Sequence, residues 1–205
     1  MTVNKDAKIG GLLLAAGGSS RLGRPKQLVR HRGKALIRHA AEALVNAGCS
    51  PVGVVLGYEI EGSTAELVGL PVDIFINEEW KSGMGLSIVH GMRQLLLIEP
   101  MLDAVLITLC DQPEITHEYL RRFLHLFRDS GAGIISSEHL GIKGVPALFS
   151  RDHFDELLSL RGDIGARDLI RRSSKVATIA TDAAFSDIDT PEDLAKLASD
   201  ETSSG

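Results

Sequence analysis

The apolar run Leu12-Leu13-Leu14-Ala15-Ala16 stops at Gly17-Gly18 and gives way to Ser19-Ser20-Arg21-Leu22-Gly23-Arg24-Pro25-Lys26. A run that is apolar at every position has no face to offer water, so Ile9 to Ala15 reads as a strand buried on both sides of a parallel sheet. A strand that breaks into glycine reads as one feeding a ligand loop, because glycine lets backbone N–H groups converge on an anion. The loop carries neither G-x-x-x-x-G-K-[ST] nor G-x-G-x-x-G, the two common phosphate patterns. Its surroundings are cationic: from Ala7 to Ala41 there is no Asp or Glu, and Lys8, Arg21, Arg24, Lys26, Arg30, Arg32, Lys34 and Arg38 all fall there. In a chain of net charge −5 this is a local reversal of sign, and it points to a polyphosphate site more than to a solvated loop.

The rest of the chain alternates strand and helix patterns, which implies an α/β fold with a mostly parallel sheet and helices on both faces. Strands are expected at Pro51 to Leu56, Val72 to Ile76, Ala104 to Leu109, Ile134-Ile135 and Val176 to Ala180. Helices are expected at Ala35 to Ala47, Thr64 to Val68, from about Ser87 to Leu97, Thr116 to Asp129, Ser150 to Leu160 and Ile164 to Arg172, with Ser82 or Ser87, Ser150 and Asp163 as caps. A final helix opens with Thr190 at the cap, Pro191 at its first position and Asp193 closing a capping box. The 205 residues suit one domain, residues 1–198, and Ser199 to Gly205 reads as a disordered tail.

An acidic chain is a poor nucleic-acid binder, no apolar run approaches membrane-spanning length, and Cys49 and Cys110 sit in apolar stretches as thiols suited to a reducing cytoplasm. The seven histidines show no zinc spacing, and Gly17-Gly18-Ser19 makes no nucleophile elbow. In parallel sheets ligands bind beyond the carboxyl ends of strands, and Gly17, Gly57 and Asp111 fall at such ends. Asp111 can hold a divalent cation against phosphate or serve as a turn residue. Gly83 and Gly85, with Ser87, can clear space for a base or ribose or form a flexible helix entry.

Leu14-Ala15-Ala16-Gly17 followed by Ser-x-Arg-x-Gly-x-x-Lys resembles the signature loop of the MobA-like nucleotidyltransferases, and within them the molybdenum cofactor cytidylyltransferases of the MocA type. Further patterns resemble the family in order: Gly83-x-x-x-Ser87, Leu109-x-Asp111-x-Pro113, Gly144-Val145-Pro146-Ala147-Leu148-Phe149, Gly162-Asp163-Ile164-Gly165-Ala166-Arg167 and Asp187-Ile188-Asp189-Thr190-Pro191. The resemblance spans Ile9 to Leu197 and implies a three-layer α/β/α Rossmann-like nucleotidyltransferase fold. It implies nucleotide binding by Leu14, Ala15, Ala16, Gly17, Gly18, Ser19, Lys26, Gly57, Gly83, Gly85 and Ser87, and catalysis by Arg21, Lys26 and Asp111. It further implies Mg²⁺ on Asp111 and Asp189, and an acceptor against Gly144, Val145 and Pro146. Val145 stands where many members carry His or Asn, a departure on the acceptor side.

The activity so implied is transfer of CMP from CTP to molybdenum-loaded molybdopterin with release of pyrophosphate, with a client molybdoenzyme as a further partner. GTP as donor or a sugar phosphate as acceptor stays open, and so does a chaperone that binds cofactor without transfer chemistry. Ala15-Ala16-Gly17, rather than Ala-Gly-Gly, leans toward the cytidylyl type.

Overall fold

The computed structural model describes residues 6–19, 22–181 and 187–203. Seven strands form one sheet: β1 (Ile9–Ala15), β4 (Val52–Leu56), β5 (Asp73–Ile76), β6 (Ala104–Leu109), β7 (Ile134–His139), β8 (Ile142–Ser150) and β9 (Ala177–Ala180), in the order β5-β4-β1-β6-β8-β7-β9. Every pairing is parallel except those of β8, which runs antiparallel to both β6 and β7. A two-stranded ribbon, β2 (Arg30–His31) with β3 (Lys34–Ala35), turns on Arg32-Gly33. All seven residues of β1 are buried, as its unbroken apolar pattern requires.

Side chains alternate across the sheet and build two cores. Leu13, Val54 and Leu106 face α1 (Leu36–Ala47) and α4 (His117–Ser130), meeting Ile37, Leu44, Leu120 and Phe123. Leu12, Val55, Val105 and Ile107 face α3 (Met84–Ile98), α5 (Phe154–Leu158) and α6 (Ala166–Arg172), meeting Ile88, Met92, Phe154 and Leu169. A smaller cluster joins Leu22, Val29 and Leu36 to Ile188 and Leu197. It seats α7 (Pro191–Ser203) against the loop after β1. The chain leaves β1 toward β4 and returns through α3 to β6 on β1's other side. The strand order therefore reverses around β1, and a crevice opens at the carboxyl ends.

Several expected boundaries move. The helix expected from Thr64 is α2 (Ile60–Leu67). β7 runs four residues past Ile135 because β8 folds back on it. Gly83 caps α3, and neither Ser82 nor Ser87 makes the cap bond. Ser150 makes no side-chain cap bond either, and a 3₁₀ turn at Arg151–His153 precedes α5, which ends at Leu158. Asp163 does not cap α6: that helix starts at Ala166 with Gly165 at its cap. The last helix, α7, spans Pro191–Ser203. No Gly or Pro interrupts the chain between Pro191 and Gly205, and the capping box gives the helix a firm start. In that box Asp193 Oδ2 accepts from the Thr190 N–H at 2.9 Å while Thr190 Oγ1 accepts from the Asp193 N–H at 3.3 Å. No helix is long and apolar enough to cross a membrane among the described residues.

Candidate functional site

Two adjoining cavities occupy the crevice. The larger, about 480 Å³, is lined by Leu14 and Ala15 at the end of β1, by Ala16 and Gly17 of the loop that follows, by Lys26, Gln27, Trp80, Lys81, Gly83, Met84 and Ser87, and by Asp111 and Asp163. The second, about 410 Å³, reaches Val145 of β8 and Arg167 and Asp168 of α6, with Asp187 and Asp189 at its rim. Leu14, Lys26, Met84, Leu109, Asp111 and Asp163 belong to both and mark their junction.

Lys26 stands at that junction. Its ammonium donates to Asp111 Oδ2 and, at 3.1 Å, to Asp189 Oδ1. Burial opposes the charged ammonium, but the charge and hydrogen bond of Asp111 and the hydrogen bond of Asp189 outweigh it and raise the lysine above its ordinary value. Asp111 is 5% exposed, and its Oδ1 is buried without a hydrogen-bond partner. The closing segment reaches Asp111 through the backbone: the Ile188 N–H donates to the Asp111 carbonyl at 3.0 Å, while Gln112 Nε2 donates to Asp187 Oδ1 at 3.0 Å. Burial pushes the Asp187 carboxyl up from the usual range, and the neighbouring Asp111 charge adds to this. Asp111 and Asp189 thus share one cation and leave one buried carboxylate oxygen unsatisfied. Hard oxygen donors of this kind suit Mg²⁺, which takes one or two protein carboxylates and completes its shell with water and phosphate.

The loop is tied down from below. Gln27, 1% exposed, donates its amide N–H groups to the carbonyls of Ala15 (3.1 Å), Gly17 (3.1 Å) and Tyr58 (3.3 Å). Ser19 takes a positive φ of 50°, and its Oγ accepts from the Lys26 N–H at 3.0 Å, closing the loop on itself. Leu14, Ala15, Ala16 and Gly17 line the larger cavity, whereas Gly18 and Gly57 sit against Trp80. A Cβ on Gly57 would fall 2.5 Å from the base of that side chain, and one on Gly18 2.8 Å from the far rim of its ring.

Gly83 and Gly85 owe their small size to another neighbour. Gly83 has φ of 115°, and a Cβ there would lie 2.3 Å from the Gly162 backbone; one on Gly85 would lie 2.5 Å from the Ile164 carbonyl. The Gly85 N–H donates to the Gly162 carbonyl at 2.9 Å. The Arg161-Gly162-Asp163-Ile164 turn therefore packs on the entry of α3 and delivers Asp163 to both cavities. Ser87 lines the larger cavity, its Oγ accepting from Asn77 Nδ2 at 3.0 Å. Val145 lines the second cavity, while Gly144 lies beside the Arg167 guanidinium and Pro146 follows a cis peptide bond. Arg21 lies outside the described residues.

Residues 11–200 match the MobA-like NTP transferase domain. The chain belongs to that family. This MobA-like chain is similar to nicotine blue oxidoreductase of Paenarthrobacter nicotinovorans, 32% identical across 91% of this chain and 95% of that one. It is similar to the purine catabolism protein PucB of Bacillus subtilis (strain 168), 29% identical across 89% and 92%. Among solved structures it is similar to Rv0371c from Mycobacterium tuberculosis H37Rv, with a TM-score of 0.82 and 28% identity over 94% of this chain and 98% of that one. Rv0371c has also been solved in complex with manganese; there the TM-score is 0.75, with 27% identity over 93% of this chain and 97% of that one.

No pattern in the sequence marks Gln27, Asn77 or Trp80 as parts of this site, and Asp163, expected as a cap and as part of the Gly162 to Arg167 element, lines both cavities. Nothing local marks Gln27, because its role depends on carbonyls from two separate segments, Ala15 and Gly17 at the end of β1 and Tyr58 beyond β4. Trp80 was legible in principle: it is the chain's one tryptophan and it precedes the glycine pair of α3.

Proposed function

We propose that this chain transfers CMP from CTP to the phosphate of a molybdenum-loaded molybdopterin, releasing pyrophosphate, with Mg²⁺ held by Asp111 and Asp189. The observation that carries the reading is Lys26 bridging those two carboxylates at the junction of two cavities, one beside the glycine loop and one beside β8 and α6. The larger cavity takes the triphosphate, with Ala15, Ala16 and Gly17 offering close backbone and Lys26 a full positive charge. The second takes the acceptor, against Val145. The preference for CTP rests on Ala15-Ala16-Gly17.

In the transfer, an acceptor phosphate oxygen attacks the α-phosphorus, the bond to the bridging oxygen breaks, and pyrophosphate departs with that electron pair. Mg²⁺ supplies neutralisation of charge on the phosphate oxygens when bound. Lys26 turns from the carboxylates toward those oxygens and stabilises charge in the transition state, while the loop, pinned by Gln27, holds the reacting groups in line. A phosphate acceptor arrives ionised and needs no general base.

The test is pyrophosphate release with each of four nucleoside triphosphates, with and without molybdenum-loaded pterin. Release with CTP and pterin supports the reading, and release with GTP or a sugar phosphate moves it within the class. Cofactor binding without release moves it to a chaperone. One relative bears an oxidoreductase name, so the same preparation is assayed with nicotine blue. Turnover there without pyrophosphate release would overturn the transferase assignment.

A further inference from the structure

Trp80 begins the 3₁₀ turn Trp80–Ser82 between β5 and α3, and it lines the larger cavity beside Gly17, Lys81 and Gly83. The indole is held at both ends: the Gly57 backbone meets its Cβ, Cγ and Cδ1, and the Gly18 backbone meets Cη2 and Cζ3. The Tyr58 ring buttresses it with centroids 5.8 Å apart. Packing at both ends by glycine backbone and at one side by the Tyr58 ring restrains the indole. Lys81 Nζ stands over it, 5.4 Å from its centroid. Among the described residues no carboxylate pairs with Lys81, although the carboxylates of Asp111 and Asp163 line the same cavity.

We propose that Trp80 is the stacking surface for the base of the bound nucleotide, and that the base displaces the Lys81 ammonium from the ring toward the triphosphate. The proposal rests on reading the larger cavity as a nucleoside triphosphate site. A rigid indole gives a flat apolar face at little entropic cost, and any base has a π-face to lay on it. A lysine over a ring holds it weakly at an exposed position. A polyanion entering the cavity offers that ammonium a stronger partner, so stacking and release of Lys81 favour one another. This surface recognises that a base is present, and base identity is read by hydrogen-bonding groups elsewhere in the cavity.

Because the chain has a single tryptophan, its intrinsic fluorescence reports this ring alone. The experiment titrates wild-type protein with CTP, with GTP and with inorganic tripolyphosphate, following fluorescence beside equilibrium dialysis of labelled ligand. Both nucleotides should quench Trp80 on binding, and tripolyphosphate should bind without that quench. Trp80→Leu should weaken both nucleotides on the order of tenfold or more while leaving tripolyphosphate affinity unchanged. In turnover it should raise KM for the nucleotide with little change in kcat, and Trp80→Phe should recover most of the loss. Equal nucleotide affinity in Trp80→Leu and wild type would overturn the stack while leaving the site a nucleotide site. So would an equal loss of tripolyphosphate affinity, which marks the ring as packing for the loop. If Trp80→Leu does not fold, the wild-type titrations decide, since equal quenching by tripolyphosphate and nucleotide overturns the stack. A wild-type protein that binds no nucleoside triphosphate overturns the nucleotide reading, and the stack with it.

Discussion

Lys26 is the side chain on which most of the site's charge depends. It neutralises Asp111, which is buried, and Asp189, whose side chain is 40% exposed. Its raised pKa means that the folded state holds its proton more tightly than the unfolded chain does. The ion pair's stabilisation is therefore complete below the ordinary lysine value and is lost only as pH climbs through the higher folded one. Any rate loss on the acid side has another source. Lys26→Ala should lower kcat about a hundredfold, the effect of losing one transition-state donor worth roughly 3 kcal/mol, with a smaller change in triphosphate binding. It should also destabilise the fold by about 3 kcal/mol, because a buried carboxylate is left without its cation. Adding Asp111→Asn to Lys26→Ala should return part of that stability but none of the activity. Urea denaturation of the single and double variants, with steady-state kinetics on the folded protein, checks both statements. A Lys26→Ala enzyme with full kcat and raised KM would assign the residue to ground-state binding.

At the scale of elements, the entry of α3 is where packing and site meet. Gly83 combines a left-handed φ with a 2.3 Å approach to the Gly162 backbone. Gly83→Ala should therefore cost at least about 2 kcal/mol, from backbone strain and from a clash that no rotamer relieves. A urea midpoint matching wild type would show that the turn yields freely. The same variant should weaken ligand binding, because displacing the Arg161 to Ile164 turn moves Asp163 and Met84 at the cavity junction. The sequence identified both glycine-bearing stretches as notable. It could not indicate that each explains the other, since they are far apart in the chain and only the packing of α3 against α5, with the turn after α5 laid on the entry of α3, brings them together. The capping box of α7, by contrast, was readable in full, because Thr190 and Asp193 act within one turn.

Across the whole molecule, both cysteines are buried free thiols, Cys49 in the turn between α1 and β4 and Cys110 beside the site. Burial pushes each up to about 12, helped at Cys110 by the Asp111 charge. The unfolded chain ionises its thiols near 8.5, so the neutral buried thiols contribute stability that is complete below that value and lost as pH rises toward 12. Wild-type stability should fall across that alkaline window, and Cys49→Ala should show a shallower fall, measured as urea midpoint against pH. At pH 8 the native chain should resist thiol reagents until it unfolds. Rapid native labelling of Cys49 would mean that the core opens around α1.

The local signals were strong enough to determine the alternation of strands and helices, the buried β1, the glycine loop that follows it, and Asp111 at a strand end. Each depends on neighbours a few residues away: an apolar run must be covered, and glycine breaks it. What only the tertiary structure decided lies between segments distant in the chain. The closing Asp187-Ile188-Asp189 meets Asp111 because the Ile188 N–H and Gln112 bond across the gap and Ile188 packs with Leu22 and Val29. Gly18 and Gly57 are small because one indole lies across both. Gln27 matters because carbonyls at and just beyond the ends of β1 and β4 converge on its amide. Periodicity along the chain specifies which face of an element is buried, whereas the identity of what covers it is set by the sheet order and by close packing, and these have no local signature.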